Sequence, residues 1–213
     1  MKKEITNQIS KIEIPMPRTA VLRLKIIGTA PLIQNKMTDA IKGGMRDKYG
    51  AGKKRDKTEV INDVKPEMTP EQQADSFTHY IDKENTILGE PISAFMGAIV
   101  TVGKTFGSKG AKLLPDINGE WLKRVITIKP AGLVQINYKK RRLELDSPIQ
   151  KKVPFPIYRY KYDDWSCELE VIFNEAVLSP KDVISLFVWA GQYIGIGSWR
   201  KENHGRFTVG VVT

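Results

Sequence analysis

The pattern of apolar and polar positions predicts two half-buried strands far apart in the chain. Over residues 22–26 apolar side chains alternate with two cations, and over residues 167–173 they alternate with two glutamates. Alternation with a period of two places apolar side chains on one face of a strand and polar ones on the other. Further strands are predicted near residues 122–129, 131–138 and 206–212.

Helical spacing of apolar residues follows three start signals. Thr69 is a capping threonine followed directly by Pro70, and Ser93 begins the next apolar stripe. Ser179 caps the last helix, for which Gly191 is the predicted C-cap. Serine and threonine accept hydrogen bonds from the unpaired N–H groups that begin a helix, and glycine readily ends one.

The order of these elements predicts an α+β fold of ferredoxin-like type, β-α-β-β-α-β, in a single domain over residues 1–213. Two segments elaborate this plan. A basic insertion is predicted at about 36–68, after the first strand, and a Pro- and Tyr-rich loop at about 143–164.

A glycine-rich, basic and aromatic loop connects the last predicted helix to the last strand. Its candidate binding residues are Gly195, Gly197, Trp199, Arg200, Lys201, His204 and Arg206. Glycine permits close approach of another polymer, and successive backbone N–H groups in such a loop can hold an anion. The loop is therefore a candidate phosphodiester site, with a tight helix-to-strand connection as the alternative.

The net charge of +10, from 34 Lys and Arg against 24 Asp and Glu, favours a polyanionic partner. Two cationic clusters are further candidate contacts: Lys53, Lys54 and Arg55 in the insertion, and Lys139, Lys140, Arg141 and Arg142 after the predicted strands. Solvated segments without a target are the alternative for both clusters. Three tyrosines at alternate positions either stack on bases or pack in the core: Tyr158, Tyr160 and Tyr162.

The chain has a resemblance to a known superfamily. Residues 169–209, with Gly-Ile-Gly-Ser-Trp-Arg and then Gly-Arg-Phe-Thr-Val, resemble the C-terminal end of the RAMP superfamily, the ferredoxin-like RNA-binding proteins of CRISPR complexes. Ala30-Pro31-Leu32-Ile33 and Gly89-Glu90-Pro91 resemble its backbone-forming subunits. The resemblance implies a subunit that stacks along a guide RNA and uses the insertion as a thumb. The chain also resembles small proteins of phages and prophages that end in a similar glycine-rich stretch. This second resemblance implies that the chain is a stand-alone relative encoded by a phage or prophage.

Few residues could support catalysis. Of the two histidines, only His204 lies in the glycine-rich loop, where it is a candidate general base for metal-independent cleavage of RNA. No second histidine or partnered acid accompanies it in sequence, and no Cys pair, His-x-x-His or carboxylate cluster indicates a metal. We therefore expect no cofactor, and a binding protein in preference to an enzyme.

The single cysteine, Cys167, excludes an intramolecular disulfide and favours a reducing compartment. The N-terminus shows no signal-peptide pattern, and no segment approaches the roughly 20 apolar residues of a membrane span. We expect a cytoplasmic protein that has no membrane partner.

The leading hypothesis is a protein that binds single-stranded nucleic acid, RNA ahead of DNA, through the backbone and independently of sequence. The expected assemblies are a homo-oligomer or filament along the strand, or a CRISPR-like or host defence complex. Two alternatives stay open. One is a CRISPR-type endoribonuclease that uses His204, and the other is a phage protein that binds or mimics a subunit of a host defence complex.

Overall fold

The computed structural model describes residues 18–37, 68–106, 119–146, 149–150, 153–154 and 156–212. The strands are β1 (Thr19–Gly28), β2 (Leu32–Ile33), β3 (Gly89–Pro91), β4 (Ile126–Lys129), β5 (Leu133–Gln135), β6 (Lys140–Asp146), β7 (Ile149–Gln150), β8 (Val153–Pro154), β9 (Ile157–Asp163), β10 (Ser166–Asn174) and β11 (Phe207–Val211). The helices are α1 (Pro70–Ser76), α2 (Ile92–Phe106), α3 (Gly119–Val125) and α4 (Pro180–Trp189). The predicted α+β class is confirmed.

Four strands form an antiparallel sheet in the order β11–β1–β10–β4. The two alternating patterns are confirmed as its central strands, in which Leu24 lies opposite Leu169 and alternate side chains are buried. The buried face joins α2 and α4 in one apolar cluster that includes Phe95, Val171 and Phe187. Burial of each such side chain contributes about 1.5–3 kcal/mol and holds the helices on the sheet.

A second antiparallel sheet, in the order β2–β9–β6, packs against α1. The Pro- and Tyr-rich loop predicted over 143–164 is wrong at both ends, because β6 and β9 pair there along seven residues. The prolines of this segment come between β6 and β9 in the sequence, so none of them interrupts the pairing of these two strands. Tyr160 and Tyr162 are buried, so packing in the core is confirmed for both of them.

The strand predicted near 122–129 begins only at Ile126, because residues 119–125 form α3. Leu122 is fully buried in this helix, and Lys123 forms an ion pair with Glu120 one turn earlier, at 2.9 Å. The helix starts at Thr69 and Ser179 are confirmed. Both residues form capping boxes with the side chain three positions later.

Most of the predicted basic insertion, residues 38–67, lies outside the described residues, and with it Lys53, Lys54 and Arg55. The assignment of the whole chain to a single domain stays a prediction. Among the helices of the described residues, none is both long enough and apolar enough to cross a membrane.

Candidate nucleic-acid interface

Helix α4 does not end at a glycine cap. The prediction for Gly191 is wrong, because the backbone continues from Trp189 into a π-helical turn, Ala190–Ile194. Gly191 is buried inside this turn, where a Cβ would collide with the carbonyl oxygen of Phe207 in β11. The turn ends at Gly195, whose φ is +74° and whose N–H donates to the Ala190 carbonyl at 2.8 Å.

The glycines of the loop pack against the chain's own backbone. Gly197 has a φ of +71°, and a Cβ there would meet the carbonyl oxygen of Ile33. Beside it, the Ser198 N–H donates to that same oxygen at 2.7 Å, and the Gly205 N–H donates to the Pro31 carbonyl at 2.8 Å. The need for glycine at these positions therefore comes at least in part from a close connection to the segment around β2.

The outer part of the loop carries backbone donors and cations. Trp199 adopts the left-handed conformation and is followed by a 3₁₀ turn, Arg200–Glu202. Among the backbone hydrogen bonds of turns, loops and caps in the described part of the chain, none has the N–H of Trp199, Arg200 or Lys201 as its donor. The side chains of Arg200 and Lys201 are exposed, and no ion pair to a described residue engages either of them. Such a group suits the oxygens of a phosphate.

Arg206 and His204 face inward more than the sequence indicates. The Arg206 Nη2 donates to Asn203 Oδ1 at 3.1 Å and to the Arg200 carbonyl at 3.4 Å, and burial lowers the pKa of its guanidinium. The imidazole of His204 lies edge-on to Trp199, with ring centroids 6.5 Å apart, and its Nδ1 is buried without a hydrogen-bond partner. Arg206 therefore stabilises the loop through hydrogen bonds within it. No described carboxylate orients His204 as a general base.

A cleft of about 290 Å³ opens beside the loop. Its walls come from five parts of the chain: the loop itself, the segment after β2, the segment after α1, the strand β3 and the first two turns of α2. The lining residues are Gln34, Asn35, His79, Glu90, Pro91, Ser93, Ala94, Gly97, Gly197, Ser198 and Arg200. The loop cation Arg200 therefore lies at the edge of an open space that is large enough for a small ligand.

Glu90 is a buried acid in the wall of this cleft. Its side chain is 3% exposed, and its Oε2 accepts a hydrogen bond from Gln34 Nε2 at 2.6 Å. Gln34 is itself fixed, because its Nε2 also donates to the Gly89 carbonyl at 2.5 Å and its Oε1 accepts from the His79 N–H at 2.9 Å. Burial raises the pKa of Glu90 to about 7, although the bond from Gln34 lowers it.

Arg159, on β9, contacts the loop at Trp199. It is 6% exposed, and its guanidinium lies 5.4 Å from the ring centre of Phe77 and 5.9 Å from that of Trp199. Its Nη2 donates to Asn35 Oδ1 at 3.2 Å, whereas its Nε is buried without a partner. Burial lowers the pKa of Arg159, and the nearby Asp146 opposes that shift. This cation therefore positions Trp199.

The four cations at 139–142 do not form one surface. Lys140, Arg141 and Arg142 lie in or at the start of β6, so their side chains alternate between the faces of the second sheet. Arg141 lies over the ring of Tyr160 at 4.4 Å, and no ion pair to a described residue engages it. Arg142 is paired with Asp163 at 2.7 Å and also with Glu144.

The structure groups the loop residues and separates them from Arg141. Tyr160, under Arg141, and Arg159, under Trp199, are neighbours in β9 and therefore point to opposite faces. Sequence reasoning missed Glu90, Gln34 and Arg159. Their contacts join residues 56 and 124 positions apart, and no local spacing signals them.

The open face of the main sheet offers no aromatic platform. In the described strands its exposed cations, Arg23, Lys25 and Lys129, lie beside Glu168 and Glu170, and Glu170 pairs with Arg23 and Lys129 at 4.0 and 3.8 Å. The charge on this face is therefore nearly balanced. In the same ranges no three His, Cys, Asp or Glu side chains are grouped so that they could hold a metal ion.

The fold is similar to solved structures of CRISPR proteins. A chain of the Type III-B Cmr-beta complex bound to cognate target RNA aligns with a TM-score of 0.50 and 10% identity, over 92% of this chain and 61% of its own length. This chain thus spans about three fifths of that subunit. At this identity the likeness establishes the fold and not the activity.

Two other solved structures align at lower scores. A chain of a Type IV-B CRISPR complex has a TM-score of 0.44 and 10% identity, over 91% of both chains. Cmr6 from Pyrococcus furiosus has a TM-score of 0.40 and 11% identity, over 91% of this chain and 99% of its own. No family model matches the sequence. No curated protein matches it either.

Proposed function

We propose that this chain is a RAMP-type subunit that binds single-stranded nucleic acid, RNA ahead of DNA, in a CRISPR-like ribonucleoprotein. The order β11–β1–β10–β4, with α2 and α4 on one face, supports a ferredoxin-like unit, and the likeness to a chain of an RNA-bound complex supports the partner. The observation that carries the proposal is the outer part of the glycine loop, where two exposed cations lie beside backbone N–H groups and one of the two, Arg200, lines an open cleft.

Binding in this proposal is directed at the phosphates. Arg200 and Lys201 neutralise the phosphate charges of the strand, and the backbone N–H groups beside them donate to a phosphate oxygen without reading a base. Arg141 and the insertion add contacts at a distance, since Arg141 lies on the other face of the second sheet. Affinity is then spread over several weak contacts, and each of them carries a salt dependence.

Replacing Arg200 and Lys201 together by alanine should weaken binding of every oligonucleotide and flatten its salt dependence. Each phosphate contact to a single strand contributes about 0.7 to the slope of log K against log salt, so the slope should fall by about 1.4. Fluorescence anisotropy with short RNA and DNA oligonucleotides over a salt series measures both quantities. Both side chains are exposed, so the melting temperature should not change.

The matched control is the replacement of Lys104 and Lys123 by alanine. It removes the same two charges, but both lysines are already paired with Glu120, at 2.8 and 2.9 Å. Lys104 also lies near the end of α2 away from the cleft. Equal losses in the two double variants would mean that only net charge matters, which contradicts a site at the loop. A salt-independent complex would contradict the whole proposal.

We propose further that the chain binds RNA without cleaving it. His204→Ala should then weaken binding mildly and leave RNA integrity unchanged, because the loop holds no described partner acid for this imidazole. Denaturing gels of RNA incubated in EDTA test this point, and cleavage lost in His204→Ala would establish the ribonuclease alternative. Purified protein that carries a host protein and no nucleic acid would indicate the defence-complex alternative instead.

A further inference from the structure

The cleft beside the glycine loop has the size and the walls of a site for one nucleotide. Its volume of about 290 Å³ is at the lower end of small-molecule sites. Gly97, in the second turn of α2, lines it, and a Cβ there would have no atom within 4 Å. The space in front of this helix is therefore open, and no described residue fills it.

One wall of the cleft carries a hydrogen-bond acceptor. The one hydrogen bond that acts on the Glu90 carboxyl comes from Gln34, which donates to Oε2. Gln34 cannot turn to serve both oxygens, because the Gly89 carbonyl and the His79 N–H hold its amide at 2.5 and 2.9 Å. Because Glu90 lines the cleft, its other oxygen, Oε1, can accept a hydrogen bond from a ligand that brings an N–H donor.

The part of the lining that comes from the loop supplies the complementary chemistry. Arg200 lies there with an exposed guanidinium, next to backbone N–H groups of the loop. A ligand with an anionic group at one end and an N–H donor at the other would satisfy both parts of the lining. A nucleotide whose base carries an exocyclic amino group has this arrangement.

We infer that the cleft takes one unstacked base of the bound strand and selects an amino-bearing base, such as cytosine, over uracil through Glu90. This inference rests on the proposed function and adds a base-selective position to binding that otherwise ignores sequence. The cytosine N4 amino group donates to Oε1, whereas the O4 of uracil would place an acceptor against an acceptor. Cytosine and uracil have the same ring size and differ only along this edge, where uracil has O4 in place of the N4 amino group and carries a proton on N3.

The test compares octamers of cytidine and uridine at about pH 8, where Glu90 is mostly ionised. Wild-type protein should bind the cytidine octamer roughly tenfold more tightly, since one good base contact has about this effect. Glu90→Gln should abolish the preference, because its amide offers a donor as well as an acceptor. Glu168→Gln, the same change on the open sheet face, should keep it.

A second variant keeps the test decisive if Glu90→Gln alters folding. Gly97→Phe fills the cleft from a helical position with open space around it, so it should block base entry while phosphate binding continues. Its affinity for cytidine should fall to that for uridine. Equal binding of both octamers by the wild type, or a preference that survives in both variants, would overturn the inference and leave the proposed function standing. Failure to bind either octamer would overturn both.

Discussion

Replacing Gly205 with alanine should destabilise the protein by about 3–5 kcal/mol and lower its melting temperature by about 10 °C. Its φ is +67°, in the left-handed region, which costs a residue with a Cβ about 1–2 kcal/mol. The larger cost comes from space, because the Cβ would collide with the backbone of Ile196. That clash also disturbs the bond from the Ile196 N–H to the Gly205 carbonyl, now 3.0 Å long. Thermal unfolding followed by circular dichroism measures the change.

Gly132 provides the matched control for this prediction. It has a φ of +86°, but a Cβ there would have no atom within 4 Å. Gly132→Ala should therefore cost only the conformational strain, about 1–2 kcal/mol. Similar small losses in the two variants would contradict the close packing of the loop against its own backbone.

The same packing argument applies to Gly197. From the sequence alone, this glycine belongs either to a phosphate site or to a tight helix-to-strand connection. Its Cβ would meet the Ile33 carbonyl, so a substitution there should disturb folding before it affects a ligand. Binding variants are therefore better placed at Arg200 and Lys201, which no described residue pairs with. In the proposed binding mode, the outer part of the loop, from Trp199 to Lys201, holds the phosphate more than the glycines do.

The sequence predicted those parts of the fold that depend on neighbours in the chain. The capping boxes at Thr69 and Ser179 need only residues three positions apart, and both were confirmed. In β1 and β10 apolar residues recur at every second position, a pattern typical of half-buried strands. The α+β class follows from such local signals.

The errors have physical reasons as well. The segment 119–125 is too short for its helical period to stand out from the strand that follows at Ile126. In the tyrosine-rich segment, the prolines come between β6 and β9 in the sequence. They led to the prediction of one loop that wrongly included residues of both strands. Gly191 has the composition of a cap, but contact with Phe207 decides its role, and that contact spans the final loop.

The candidate site was predicted only in part. The loop residues are consecutive in sequence and charged, so their grouping could be seen. Glu90 and Arg159 could not be found, because a single acid and a single cation acquire their importance from burial and from partners such as Gln34 and Asn35. Ion pairing also distinguishes Arg142 from Arg141. The carboxylates that pair with Arg142, on Asp163 and Glu144, come from other positions in the second sheet.

At about pH 8, Glu90→Gln should be more stable than the wild type by about 3 kcal/mol, and at about pH 4.5 the two should be nearly equal. The pKa of Glu90 is raised from 4.5 to about 7 in the folded protein by burial. Between these values the folded state keeps a proton that the unfolded state releases, so the wild type loses stability as the pH rises. A shift of this size corresponds to about 3 kcal/mol, reached near pH 7 and constant above it. Glutamine cannot ionise, so the variant avoids this loss.

Urea unfolding of both proteins over this pH range measures the difference, which cancels the contributions of other titrating groups. Glu120 supplies the control, because its exposed carboxyl has a pKa lowered to about 2 by Lys104 and Lys123. A lowered pKa gives stability that is present above the unfolded value and lost as the pH falls below it, so Glu120→Gln should add no slope between about pH 5 and 8. If Glu90→Gln and the wild type ran parallel over that window, the Glu90 carboxyl would have to be solvated, and the buried acid in the wall of the cleft would be ruled out.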